Sequence, residues 1–230
     1  LSGFGVGTLT YNTTGNYNTA VGRLSLTANT TASDNTAVGY KSLTANTTGT
    51  RNVGVGNSAL GALTTGNNNT ALGFEALKSI TTVGNNTAVG AYALRTASGD
   101  NNTAVGYDAL YLNSTGTSNT AMGVAALGAN TTGQNNTAIG RLTLDANTTG
   151  GNNVAVGAQA LGANTTASNN TACGFYALYT NTTGTQCVAV GGDALRNGNG
   201  DSNTAVGYAA LYSHTTGTDN VAIGRGALYT

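Results

Sequence analysis

Proline and tryptophan are absent from the 230 residues, and charge nearly so: 7% of residues are Asp, Glu, Lys or Arg, with eight of each sign. Nucleic acids and anionic membrane surfaces are held by clustered Lys and Arg, so a chain this poor in charge has no electrostatic case for either partner. One His and two Cys leave little material for acid–base or thiol chemistry. No run approaches the roughly 18 to 20 apolar residues of a membrane-spanning helix. Leu1-Ser2-Gly3-Phe4 lacks the charged and apolar regions of a secretory signal. The first residue is Leu, so the chain is read as an excerpt of a longer protein, with export signals and anchors expected outside it.

What is abundant is Asn, Thr, Gly and Ala, a composition that can mark a disordered tract. Periodicity argues against disorder, because disorder gives no reason to hold apolar residues in fixed columns. The Gly that closes each Ala-Val-Gly unit recurs from Gly7 and Gly22 to Gly207 and Gly224, giving 14 units whose intervals are 15 once, 16 twice and 17 ten times. The residue before this marker is always apolar, as in Val21, Leu72, Met122, Ile139 and Cys173. Four residues after it stands Leu, as in Leu26, Leu43 and Leu60, with Leu9 in the shortened first unit.

A 17-residue period could serve a helix of almost five turns. The Gly, the Asn-Thr-Thr-Gly clusters and the β-branched residues instead punctuate short strands. The spacing therefore predicts an all-β parallel β-roll, a solenoid of about 14 coils of 17 residues forming a single tandem array over residues 1–230. Each coil is expected to carry one strand at Asn-Thr-Ala-Val and a second near the Ala-Leu pair. Strand alternation is read with Val21 and Thr19 pointing into the coil beside Leu26 and with Ala20 pointing out. An outward column that stays small, from Ala20 and Ala37 to Ala205 and Ala222, implies the same column of another chain packed against it, hence a homo-oligomer. Fourteen coils at about 4.8 Å each would stack to a rod on the order of 65 Å, whose ends need caps or continuation.

Asn-Thr-Ala-Val-Gly and the variant Asn220-Val221-Ala222-Ile223-Gly224 closely resemble the head repeats of YadA-like trimeric autotransporter adhesins, and similar arrays occur in bacteriophage and bacterial surface fibres. The resemblance covers essentially every unit. It implies a left-handed roll, three chains packed side by side, and an extracellular place on a cell or virion surface. The adhesin repeat is shorter than 17 residues, so the Asn-Thr-Thr-Gly corner is closer to the phage and fibre group.

Nothing recurs that would make an enzyme, a cofactor site or a metal site. His214 takes a position held by Asn29, Asn46 and Asn113 in other coils and is read as an outward corner residue. Cys173 falls in the apolar column and is read as a buried small hydrophobe. Cys187 falls in the Asn column of the next coil, roughly 11 Å away, beyond disulfide reach, so both thiols are expected free. The acidic residues lie in different columns, with no metal-ligand spacing. Aromatics follow the marker Gly at Tyr40, Phe74, Tyr107, Phe175 and Tyr208, and follow the Leu column at Tyr111, Tyr179 and Tyr212; packing is their first reading. The Asn-Thr-Thr corners match a glycosylation sequon, but stacked coils would crowd the glycans.

The two 16-residue intervals read Arg95-Thr96-Ala97-Ser98-Gly99-Asp100 and Arg196-Asn197-Gly198-Asn199-Gly200-Asp201. Both replace the corner with a tighter charged turn, and Arg95, Asp100, Arg196 and Asp201 are the candidate contact residues for a ligand or neighbouring fibre protein. The expected function is a structural fibre segment, shaft or head, of a trimeric adhesin or phage tail fibre, which gives a rigid extension and attachment to a host-surface glycan or protein receptor. The alternative is an ice-binding solenoid built on the column Thr19, Thr36, Thr70 and Thr87. Inward strand parity and Val at Val53, Val154, Val188 and Val221 count against it.

Overall fold

A computed structural model describes Leu1–Tyr229 as an all-β parallel solenoid with 17-residue spacing. It divides into two compact units, Leu1–Thr115 and Gly116–Thr230. The first holds β1 (Ser2–Phe4), β2 (Thr19–Val21), β3 (Thr36–Val38), β4 (Val53–Val55), β5 (Thr70–Leu72), β6 (Thr87–Val89) and β7 (Thr103–Val105). The second holds β8 (Thr120–Met122), β9 (Thr137–Ile139), β10 (Val154–Val156), β11 (Thr171–Cys173), β12 (Val188–Val190), β13 (Thr204–Val206) and β14 (Val221–Ile223). Within each unit every strand pairs in parallel with the next, in register, so that Ala20 lies beside Ala37 and Ala155 beside Ala172.

Each coil has one strand, and the expected second strand near Ala-Leu is a turn. The residues two and four after the marker Gly both take left-handed backbone angles, Lys41 (φ 55°) with Leu43 (φ 50°) and Tyr92 (φ 61°) with Leu94 (φ 50°). Positive φ at alternate residues bends the chain too sharply for an extended segment. The inter-coil bonds survive: the Lys41 N–H donates back to the Arg23 carbonyl (3.0 Å) and the Leu43 N–H forward to the Ala59 carbonyl (3.0 Å). A left-handed residue with a Cβ costs roughly 1–2 kcal/mol. Fully burying a Leu side chain returns about 1.5–3 kcal/mol, and Leu43 and Leu94 are completely buried.

The strand faces are the reverse of the sequence reading. Ala20, Ala37, Ala71 and Ala88 are fully buried, whereas Val21 is 38% and Leu72 47% exposed, and Thr19 and Thr36 are half-buried. The Ala column does face a close neighbour, but that neighbour is the opposite wall of its own coil. At Gly54, where the column lacks a side chain, an added Cβ would lie 2.6 Å from Ser42 Oγ and 3.4 Å from Leu43 Cγ. The interior therefore admits a methyl from the strand and a Leu from the turn, and has no room for Val. Cys173, in the Val column, is accordingly exposed, not buried, while Cys187 is the buried thiol; both are free.

Two ladders of Asn complete the interior. In the first, the Asn52 amide Nδ2 donates to the Gly66 carbonyl (2.9 Å), and its Oδ1 accepts the Asn69 N–H (2.9 Å). In the second, seven residues after the marker, Asn147 Nδ2 donates to the Gly150 carbonyl (3.0 Å) and to Asn130 Oδ1 (2.9 Å). These Asn point inward and are fully buried, so the position shared by His214 is an interior corner, not an outward one. Buried amides are tolerated because their hydrogen bonds are made. Where Leu63 interrupts the second ladder, Asn46 Oδ1 is left without a partner.

The marker glycines are required by the stacking. Gly22 has φ 118°, a region closed to other residues, and an added Cβ would lie 2.7 Å from the Gly39 carbonyl oxygen of the next coil.

Candidate functional site

Two surfaces differ from the repetitive background. One is the outward face of the strands, where Thr or Val and then Val, Leu, Met, Ile or Cys stand two residues apart. In the second unit Met122 (42%), Ile139 (38%) and Cys173 are exposed along this column. The face carries no charged side chain at either strand position in either unit. Within each unit it is an unbroken apolar and hydroxyl surface on a parallel sheet.

The other is the turn face, formed by the positions one, two and five after the marker Gly. The constant sequence turns variable there, and these columns hold most of the aromatic and charged residues. In the first unit Arg95 Nε donates to Glu75 Oε2 (2.7 Å), Arg95 Nη1 donates to Tyr111 Oη (3.1 Å), and Lys78 Nζ donates to Glu75 Oε1 (2.6 Å). Tyr92 meets Phe74, Tyr107 and Tyr111 edge to face. In the second unit Arg196 donates to Asp193 Oδ1 (2.8 Å) and lies 4.3 Å from the Tyr176 ring centroid, with Tyr179 and Tyr212 at 5.9 Å. Both clusters sit on a coil shortened to 16 residues.

The four sequence candidates do not form pairs within their turns. Arg95 and Arg196 extend onto the turn face. Asp100 Oδ1 accepts the Gly84 N–H (2.6 Å), and Asp201 Oδ1 accepts the Thr185 N–H (2.7 Å) and hydroxyl (3.1 Å). Each Asp thus ties its shortened turn to the preceding coil, which makes these turns stapled and not free loops. Glu75 and Lys78 are not among the sequence candidates, and the Tyr partners, read from the sequence as packing residues, do pack on one another; the crowding of charge and aromatics into three columns was the visible signal.

The electrostatics follow this geometry. The Lys78 hydrogen bond, with that of Arg95, holds the Glu75 carboxyl below its ordinary value against the opposing effect of burial, and the Glu75 hydrogen bond raises Arg95. Burial pushes Asp145 and the Cys187 thiol up. The Cys187 Sγ donates to the Gly200 carbonyl (3.1 Å), as an Asn amide would in that column. His214 lies 3.0 Å from the Asn220 amide nitrogen. Among the described residues no three His, Cys, Asp or Glu gather where a metal could be held, and no helix is long and apolar enough to cross a membrane.

No protein-family model matches the chain, and no curated protein and no solved structure matches it either.

Proposed function

We propose that this chain is a segment of a homo-oligomeric surface fibre, shaft or head, in which the outward strand face is the seam between chains. The observation that carries the reading is the apolar column on that face, unbroken within each unit, with Leu72 of the first unit and Met122 of the second close to half exposed. A monomer would leave this surface in water on every coil, while association buries it at about 25 cal/mol per Å2. The absence of charge along the column removes the usual block to such packing. The Asn ladders and the in-register strands supply stiffness without a large core, which suits a structural segment in an extracellular adhesin or phage tail fibre. A left-handed trimer, as in the fibres whose repeats this sequence resembles, is the proposed form.

The test is light scattering at micromolar concentration on the parent and on a variant carrying Val38→Asp and Val89→Asp. A trimeric parent and a monomeric variant with an unchanged circular dichroism spectrum support the reading. A parent that is monomeric at every concentration removes it.

A second reading, ice binding, gains from the observed parity. Thr19, Thr36, Thr70, Thr87 and Thr103 point outward instead of inward, spaced by the coil rise of about 4.8 Å except where Val53 interrupts the rank between Thr36 and Thr70. Thermal hysteresis from a monomeric protein, lost on replacing Thr70 and Thr87 by Lys, would favour it over the fibre; no hysteresis eliminates it.

A further inference from the structure

The turn face of the first unit holds a depression of about 400 Å3 whose lining includes Lys41, Thr44, Ser58, Gly61, Lys78 and Ser79. Its floor is the coil between those of Lys41 and Lys78: the Ser58 N–H donates to the Tyr40 carbonyl on one side (2.9 Å) and the Ala62 N–H to the Lys78 carbonyl on the other (3.0 Å). The hollow exists because this coil withdraws its side chains. It places Ser58 and Gly61 in columns that carry Tyr92 and Arg95 two coils on.

Lys41 and Lys78 are the only lysines in the chain. In a sequence with 7% charged residues, both fall on one hollow. The charge around it is unbalanced. Lys78 shares the single Glu75 carboxylate with Arg95, and Lys41 takes part in none of the ion pairs among the described residues. Lys41 instead lies 5.3 Å from the centroid of the Tyr40 ring, which Arg23 also approaches at 5.7 Å. Among the described residues no carboxylate lines the hollow itself, Glu75 lying behind Lys78, and its walls supply the hydroxyls of Thr44, Ser58 and Ser79.

We propose that this hollow binds an acidic polysaccharide carrying a carboxylate on alternate sugars. The two lysines stand two coil rises apart, about 9.6 Å along the stacking direction. One coil rise is close to the length of a pyranose ring, so successive acidic groups on every second sugar match the two ammonium groups. The neutral sugar between them lies over Gly61 and meets the three hydroxyls. A small charge-paired site of this kind binds weakly and depends on salt, and an array of chains in a fibre would multiply it. The inference deepens the adhesive side of the fibre reading. It is tested separately, because binding at this hollow needs no particular oligomeric state.

The experiment is isothermal titration of the intact chain with hyaluronate oligosaccharides, with dextran and dextran sulfate as the other arms. Hyaluronate is expected to bind and dextran not to. Lys41→Ala and Lys78→Ala should each weaken hyaluronate binding about ten-fold or more, Lys41→Arg should retain most of it, and Arg141→Ala, on the second unit, should leave it unchanged. Binding should fall steeply between 50 mM and 500 mM salt. Three results would each overturn the proposal: no hyaluronate binding, equal loss in the Arg141 variant, or lysine-dependent binding of dextran sulfate in preference to hyaluronate. Circular dichroism and melting temperature of each variant separate loss of the site from loss of the fold.

Discussion

The reversed strand parity makes a sharp prediction about two adjacent residues of β6, Ala88 and Val89. Ala88 is fully buried and faces the opposite wall of its coil; Val89 is half-buried and faces out. Ala88→Val adds two methyl groups at a position already closed to solvent, in a coil where Ala76 and Leu77 are fully buried too; at Gly54, where Ser42 stands in place of Ala76, even a Cβ would lie 3.4 Å from Leu43 Cγ and 2.6 Å from Ser42 Oγ. Overpacking of a close-packed interior costs about 1–3 kcal/mol, which at the size of one unit lowers the melting temperature by roughly 4–12 °C. Val89→Ala removes the equivalent of two methylenes at about 0.8 kcal/mol each when fully buried. Half-buried, Val89 loses about half that total, near 0.8 kcal/mol, or roughly 3 °C. The assay is thermal unfolding followed by circular dichroism near 218 nm at two protein concentrations. Any share of the Val89 effect that belongs to chain association varies with concentration, whereas the Ala88 effect does not. If Val89→Ala is the more damaging change at the lower concentration and Ala88→Val is tolerated, the assignment of faces is wrong.

Other perturbations address separate features. Gly22→Ala combines a φ of 118° with a Cβ 2.7 Å from the Gly39 carbonyl oxygen; it is expected to cost at least about 1–3 kcal/mol, read as a loss of urea resistance. Leu94→Ala, at a fully buried position, should cost about 2–5 kcal/mol in the same measurement. The Glu75 carboxyl is held below its ordinary value of 4.5, so its folded pKa is the depressed one. Its stabilising contribution is complete above pH 4.5 and is lost as pH falls through the folded value. Glu75→Gln should therefore narrow the difference in melting temperature between pH 7 and pH 3, and an unchanged difference would deny the ion pairs that role. In the monomeric Val38→Asp, Val89→Asp variant, Cys173 should react with a thiol reagent in the native state and Cys187 only on unfolding, because Cys187 is buried with its thiol pKa raised; two fast-reacting thiols would contradict this.

Much of the architecture was legible because a repeat repeats its constraints. The marker Gly, the Leu column and the Asn-Thr-Thr-Gly corners each recur at one place per coil, and the all-β parallel solenoid with its 17-residue spacing follows from them. The two free thiols also followed from column position. The candidate surface was only partly legible. The shortened coils drew attention to Arg95 and Arg196, but their partners Glu75, Tyr111, Asp193 and Tyr176 lie 3 to 20 residues away in sequence. Asp193 shares a turn with Arg196, but Glu75, Tyr111 and Tyr176 reach their Arg only once the coils stack.

The sequence by itself determined that coils of this length would stack and that Leu26, Leu43 and their equivalents would be inside. It could not determine which face of Thr-Ala-Val joins them. A three-residue strand with a small central residue alternates equally well either way, and Val is the more hydrophobic choice for a core. The tertiary structure decided it through width. Left-handed backbone at Lys41 and Leu43 folds the turn close behind the strand, leaving room for a methyl and none for Val. The same narrowness drew Asn29 and Asn46 inward, where each finds a carbonyl three residues along its own coil. It also turned the Thr and Val columns out, onto the face proposed as the seam between chains.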